Sequence, residues 1–173
     1  MKNLSLDIGE YLKNKKLLVA TAESCTAGLI SSTIAETPGS SLWLDSGFVV
    51  YSAEAKNQSL GVSFDTINKY NITSCEVAEE MAIGAILKSR ANVSLSTTGV
   101  AGPAGGTIQI PVGTVCLAWG FKNNENITVF SEKALFNGNR NEIRQQATEY
   151  SLNKIEYYFN QFSSLLSFQI VNN

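Results

Sequence analysis

The chain has 173 residues, of which 44% are hydrophobic and 16% charged, and its net charge is −2. That length and balance fit one domain with a sizeable core, and the slightly acidic total leaves no basic footprint for nucleic acid. No apolar run reaches membrane-spanning length and the N-terminus Met1-Lys2-Asn3-Leu4 lacks a signal-peptide core, so no membrane partner is expected and the cytoplasm is the expected location.

Residues 4–15 show a helical period, with Leu4, Ile8, Tyr11 and Leu12 on one face for packing. The run Lys16-Leu17-Leu18-Val19-Ala20-Thr21 is short, apolar and partly β-branched, which predicts a buried strand. It meets Ala22-Glu23-Ser24-Cys25-Thr26-Ala27-Gly28, and Leu29–Ala35 then predicts a helix that stops at Thr37-Pro38-Gly39. Small polar residues therefore stand where a strand hands over to a helix, a place where free N–H groups favour anions. Ser24 reads two ways there, as the N-cap of the helix or as a nucleophile.

Leu42 to Tyr51 predicts a second strand, with Gly47 marking a bulge or a close backbone approach. Ser52 is the expected N-cap of the next helix, and Lys56 lies one turn inside it, near the helix mouth. A lysine in that place is ordinarily a surface residue. Residues 61–71 form a connector with some helical character. Thr73-Ser74-Cys75-Glu76 has capping-box spacing, and a helix rich in small residues runs to Leu87.

Val93–Thr98 alternates as a strand and enters Gly99-Val100-Ala101-Gly102-Pro103-Ala104-Gly105-Gly106, a loop whose backbone can approach a ligand closely. Pro111–Trp119 and Ile127–Lys133 predict a hairpin around residues 122–126. Phe136-Asn137-Gly138-Asn139-Arg140 precedes a long amphipathic helix from Asn141 to about Phe159, with Ile143, Ala147, Tyr150, Leu152 and Ile155 apolar. Arg140 at its start opposes the helix dipole and costs stability unless something anionic compensates; Arg144 follows one turn later. Residues 1–160 are expected as one domain and 161–173 as a tail. The alternation of helices and strands, with the 112–133 hairpin, predicts a three-layer α/β/α sandwich with a mixed sheet.

The chemistry is narrowed by what is missing. The chain contains no histidine, which excludes Ser-His-Asp and Cys-His arrangements and the commonest zinc sites. A general base must then be Lys, Glu, Asp, Tyr or a thiolate, and neither metal nor cofactor is expected. Cys25, Cys75 and Cys116 are odd in number and widely spaced, against a disulfide framework or a CxxC metal site.

Five blocks in order carry a resemblance. Residues 22–28, Gly47–Lys56, Gly99–Gly106, Pro111–Val115 and Phe136–Arg140 resemble the successive signatures of the CinA C-terminal domain family, of the stand-alone nicotinamide-nucleotide amidohydrolase type. The resemblance spans about residues 5–158. It implies hydrolysis of the carboxamide of nicotinamide mononucleotide to nicotinate mononucleotide and ammonia, and a homodimer or larger assembly. By motif position it implies a serine nucleophile at Ser24 with a lysine at Lys56 and a tyrosine at Tyr51. It also points to Thr98 and Arg140, and with the turn and the glycine loop the expected substrate contacts are Cys25, Thr26, Thr98, Gly99, Gly102, Gly105, Gly106 and Arg140. Two positions depart from the family pattern. Ala27 stands where glycine is usual, and is expected in an ordinary backbone conformation; Asn139 stands where aspartate is usual and keeps a capping oxygen.

On these residues Ser24 attacks if Lys56 is neutral and within reach, and N–H groups after Ser24 hold the oxyanion. Tyr51 relays a proton or orients Lys56. Arg140 pairs with a phosphate, helped by the glycine loop, or else the phosphate takes the Ser24 helix mouth and Arg140 stands by the carboxamide. Cys25 is the rival nucleophile, expected to point away from Ser24. A nucleotide-binding module without turnover, or an amidase for another small carboxamide, is the alternative.

Overall fold

The computed structural model describes residues 2–171. Helix α1 (Lys2–Lys15) leads to strand β1 (Val19–Glu23), helix α2 (Leu29–Ala35) and strand β2 (Leu44–Val49). Three helices follow, α3 (Ala53–Leu60), α4 (Phe64–Tyr70) and α5 (Cys75–Leu87), then strand β3 (Val93–Gly99) and the hairpin β4 (Thr114–Asn123) and β5 (Asn126–Leu135). Helices α6 (Arg140–Asn153) and α7 (Ile155–Val171) close the chain. No helix among the described residues is long and apolar enough to cross a membrane.

The sheet runs β2-β1-β3-β4-β5. β1 pairs parallel with both β2 and β3, while β3–β4 and β4–β5 are antiparallel, so the expected mixed sheet is observed. Strand β4 shows why helices cover both faces. Its Val115, Leu117, Trp119 and Phe121 share a core with Ile8 and Leu12 of α1, Ile30 and Ile34 of α2, Ile143 of α6 and Phe162 of α7. The alternate residues Cys116 and Ala118 are small and pack against Ala78 and Ala82 of α5. Small side chains let α5 come close enough for Ser94 Oγ of β3 to donate to the Ala82 carbonyl at 2.8 Å and Ser96 Oγ to that of Ala78 at 2.6 Å. Those buried hydroxyls are thereby satisfied. On the same side Ala20, Ala22 and Val50 meet Leu60 of α3 and Val77, Met81 and Ala85 of α5.

Several local expectations change. Ser74, not Thr73, caps α5, its side chain accepting from Val77 N–H. The connector at 61–71 contains the separate helix α4. The single long helix after Arg140 is two, divided at Lys154, and the segment expected as a tail from Gln161 continues α7 to Val171, with Phe162 buried in the core. Glu132 of β5 receives the hydroxyls of Tyr150 and Tyr158, which ties both helices to the sheet. Gly47 is a close approach, since a Cβ there would lie 3.0 Å from the Ser31 Cβ. The register irregularity falls at Asp45 instead, skipped between the pairs Val19–Leu44 and Ala20–Ser46.

The largest correction concerns the turn after β1. Helix α2 starts at Leu29, so residues 24–28 form a separate turn and Ser24 does not cap it. The buried Glu23 side chain does that work. Its carboxylate accepts from Gly28 N–H (2.9 Å), Ile30 N–H (3.0 Å), Ser31 N–H (2.9 Å) and Thr21 Oγ1 (3.1 Å). An anion at this end also complements the helix dipole. The tight turn puts Ala27 at φ 52° and Gly28 at φ 90°. Ala27 therefore lacks the ordinary conformation expected of it; its Cβ crowds the backbone in the left-handed region. Ala27→Gly should stabilise the fold by about 1 kcal/mol, raising the melting temperature by about 2–4 °C in a thermal denaturation. An unchanged or lower midpoint would mean the turn relaxes around the alanine.

Candidate active site

The site lies where the parallel strands β2, β1 and β3 end together, the usual location for ligands in such sheets. Register places it: Glu23 pairs with Val49 on one side and Thr97 on the other. One residue on, Val50 N–H donates to the Glu23 carbonyl at 2.8 Å and Ser24 N–H to the Thr97 carbonyl at 3.0 Å. Ser24 is thus held by its backbone between two strands while its side chain is free for other partners.

That partner is Lys56. Ser52 caps α3 by accepting from Ala55 N–H at 3.0 Å, and this fixes the first turn from which Lys56 projects. Lys56 Nζ lies 2.9 Å from Ser24 Oγ and 2.9 Å from the Val50 carbonyl. The side chain is wholly buried at 0% exposure, against the surface placement expected of a lysine. Burial penalises the ammonium and pushes its pKa down from 10.5 to about 8. No ion pair restores the charge: the two among the described residues, Arg90–Asp45 and Lys154–Glu132, involve other groups.

A pocket of about 400 Å³ opens over this pair. Of the residues expected at the site, Ser24, Cys25, Tyr51, Thr98, Gly99, Gly102, Gly105 and Arg140 line it, and Lys56 sits beneath Ser24. Two do not. Thr26 is buried under the turn, its hydroxyl 2.8 Å from that of Thr97, and Gly106 packs against Val112, where a Cβ would lie 2.8 Å from the Val112 nitrogen. Thr98 lines the wall, yet its hydroxyl donates to the Ile72 carbonyl at 2.7 Å. Gly99 fits because a Cβ there would stand 2.6 Å from the Thr114 carbonyl oxygen. The base of the glycine loop is pinned by Val100 N–H to the Thr114 carbonyl and Gly113 N–H to the Val100 carbonyl.

Helix α6 supplies the cations. Its first turn is held by a capping box, in which Asn139 Oδ1 accepts from Glu142 N–H and the Glu142 carboxylate accepts from Asn139 N–H. Glu142 is the anion that offsets Arg140 at the helix start. Arg140 Nη1 donates to the Gly102 carbonyl and Nη2 to the Tyr51 hydroxyl, both at 2.8 Å. Tyr51 is therefore tied to Arg140 at the exposed rim, and the Val50 carbonyl is what orients Lys56. One turn later Arg144 reaches the other wall, its Nε donating to the Cys25 carbonyl at 3.1 Å and its Nη2 to the Thr26 carbonyl at 2.9 Å.

Cys25 lines the pocket beside Ser24, but burial pushes its thiol up to about 11, so thiolate is scarce at neutral pH. The N–H groups of Cys25 and Thr26 reach its sulfur and offset part of that rise. Residues outside the expected set also belong here. Glu23 was hidden by its place in a buried strand, although a carboxylate just before a helix entry is a readable signal. Asn71, at φ 77°, lines the pocket with Ile72 and Thr73, and nothing in its local sequence marks it. Among the described residues no cluster of three or more Cys, Asp or Glu side chains is placed to hold a metal ion.

Both the sequence and the fold match those of known proteins. The sequence model of the CinA C-terminal domain matches residues 1–159. The nicotinamide-nucleotide amidohydrolase PncC of Escherichia coli (strain K12) is 42% identical over 161 residues, covering 93% of this chain and 96% of that protein. A putative competence-damage inducible protein of Clostridium beijerinckii is 45% identical over 146 residues, 84% of this chain but 35% of that longer protein. Among solved structures, the competence/damage inducible protein CihA of Agrobacterium tumefaciens superposes with a TM-score of 0.81 at 38% identity, covering 88% of this chain and 91% of its own. With the match spanning nearly every element described above, the chain belongs to the CinA C-terminal domain family.

Proposed function

We propose that this protein hydrolyses the carboxamide of nicotinamide mononucleotide to nicotinate mononucleotide and ammonia, with Ser24 as nucleophile and Lys56 as its base. The observation that carries the reading is the buried Lys56 Nζ, 2.9 Å from Ser24 Oγ, without a carboxylate partner among the described residues. The name of the Escherichia coli relative supports the substrate.

The chemistry follows from the depressed lysine. At pH 7 about one Lys56 in ten is a neutral amine, against about one in three thousand for an ordinary lysine. The neutral Nζ takes the Ser24 hydroxyl proton as Oγ attacks the carboxamide carbon. The carbonyl oxygen becomes an oxyanion, for which the Cys25 and Thr26 N–H groups, bonded to no oxygen among the described residues, are the available donors. As the C–N bond breaks, the Lys56 ammonium returns the proton to the leaving NH₂, and ammonia departs from a nicotinoyl ester on Ser24. Water, deprotonated by the same amine, cleaves the ester and restores Ser24 Oγ–H. The Val50 carbonyl holds Nζ in place throughout.

Among the described residues Arg140 is the only charged side chain lining the pocket, which suits an anionic phosphate together with N–H groups of the glycine loop. Its placement on the Tyr51 rim favours the phosphate assignment over one beside the carboxamide, because Ser24 and Lys56 lie at the floor. Tyr51, on that rim, then closes the substrate's outer end.

Ammonia release from nicotinamide mononucleotide by the purified protein tests the reading. Ser24→Ala and Lys56→Met should each lower kcat by at least about 10³-fold, while Cys25→Ala keeps it within about tenfold. Tight binding of the nucleotide with no ammonia would reject an enzyme in favour of a binding module. The pH dependence has a definite sign. Below about 8 Lys56 is an ammonium and cannot accept the proton, so kcat/KM should rise about tenfold per pH unit and level off above about pH 8. A rate that is flat between pH 6 and 8, or that falls, contradicts Lys56 as base.

A further inference from the structure

We propose that Arg144 is a positioning residue for the oxyanion site, holding the Ser24–Gly28 turn so that its N–H groups face the pocket. The inference rests on the serine-hydrolase reading above and adds to it a residue outside the pocket lining.

Peptide planarity makes the argument. The Cys25 carbonyl and the Thr26 N–H belong to one trans peptide and point in opposite directions. Arg144 Nε binds that carbonyl at 3.1 Å, so Thr26 N–H is turned away from the guanidinium. The next peptide is treated alike. Arg144 Nη2 binds the Thr26 carbonyl at 2.9 Å, which turns Ala27 N–H onto the Ser24 carbonyl, where it donates at 3.1 Å. The remaining donors of the turn are Cys25 N–H and Thr26 N–H, neither bonded to an oxygen among the described residues. Cys25 lines the pocket next to Ser24, and with both carbonyls held by Arg144 these two N–H groups are the donors of the turn left for a tetrahedral oxyanion on Ser24.

The cation contributes beyond geometry. Arg144 pairs with no carboxylate among the described residues, so its charge is not cancelled at short range. A positive charge on a carbonyl oxygen polarises that peptide and strengthens its N–H as a donor. The turn is thus held at three points: Glu23 binds the N–H groups of Gly28, Ile30 and Ser31, Thr97 binds Ser24 N–H and the Thr26 hydroxyl, and Arg144 binds the two intervening carbonyls. Without Arg144 the Cys25 carbonyl loses that partner, and the 26–27 peptide is held by the weaker bonds from Ala27 N–H to the Ser24 carbonyl at 3.1 Å and from Leu29 N–H to the Thr26 carbonyl at 3.3 Å. Ala27, already at φ 52°, gives that stretch a reason to relax.

The test measures steady-state ammonia release from nicotinamide mononucleotide by wild type, Arg144→Gln, Arg144→Lys and Ser24→Ala, each with its melting temperature. Arg144→Gln should lower kcat by about 10–10²-fold with KM within about threefold, because the interaction matters in the transition state and not in substrate binding. Arg144→Lys, able to restore one of the two bonds, should fall between. The product constant for nicotinate mononucleotide should stay within about threefold in all variants, a readout that general loosening of the pocket would shift. A kcat for Arg144→Gln within about twofold of wild type overturns the inference, as does a rise in KM at unchanged kcat, which would make Arg144 a substrate-binding group. If Arg144→Gln does not fold, Arg144→Lys decides by the same criteria. Full activity in Ser24→Ala would instead remove the hydrolase reading on which the inference rests, whereas an inactive Ser24→Ala beside an unaffected Arg144→Gln would reject the inference alone.

Discussion

A lysine amine with no surface in water and no counter-charge is the constraint around which this molecule is arranged. Burying an ammonium is unfavourable unless it is paired, and among the described residues Lys56 hydrogen-bonds a hydroxyl and a backbone carbonyl and pairs with no carboxylate. The protein accommodates it by letting the group lose its proton more easily than a lysine in water. That same loss is what a histidine-free chain needs for a base near neutral pH. Structure and the proposed chemistry therefore pull in one direction: the feature that is awkward for stability is the one that, in the proposed mechanism, makes Ser24 a usable nucleophile.

The surroundings complete the division of charge. Two arginines one turn apart on α6 both donate to backbone carbonyls of the pocket walls, Arg140 to the glycine loop and Arg144 to the turn after Ser24. The nearest buried carboxylate, Glu23, is turned inward and spent on the N–H groups of α2. It supports the turn and offers the pocket no negative charge. The proposed phosphate-bearing substrate would then meet a cationic rim and a buried floor with no carboxylate among its lining residues.

Much of this was legible before any coordinates. The mixed sheet followed from helices alternating with strands and a late hairpin, and Ser52 was readable as a cap from its place before a helical run. Lys56 was readable as a position but not as an environment, because its burial comes from Val50 and Ser24, brought together by strand pairing rather than by neighbours in sequence. Of the two readings of Ser24, the N-cap fails because a carboxylate one residue earlier fills that role. The conformation of Ala27 departs from expectation because the turn between Glu23 and the helix at Leu29 needs two left-handed residues, which the local sequence shows only at Gly28. Arg144 and Asn71 act across the fold, and spacing alone does not mark such groups. The break at Lys154 was hidden by apolar periodicity that continues on both sides of it.

The chain matches nearly the whole of the Escherichia coli relative and about a third of the longer Clostridium beijerinckii protein. The proposed mechanism requires a covalent ester at Ser24. Rapid-quench mass spectrometry of the protein mixed with nicotinamide mononucleotide tests that most directly. A nicotinoyl-nucleotide adduct on the peptide carrying Ser24, mapped to its oxygen and absent in Ser24→Ala, is the expected result. An adduct on Cys25, or a burst of ammonia with no side chain acylated, would contradict it.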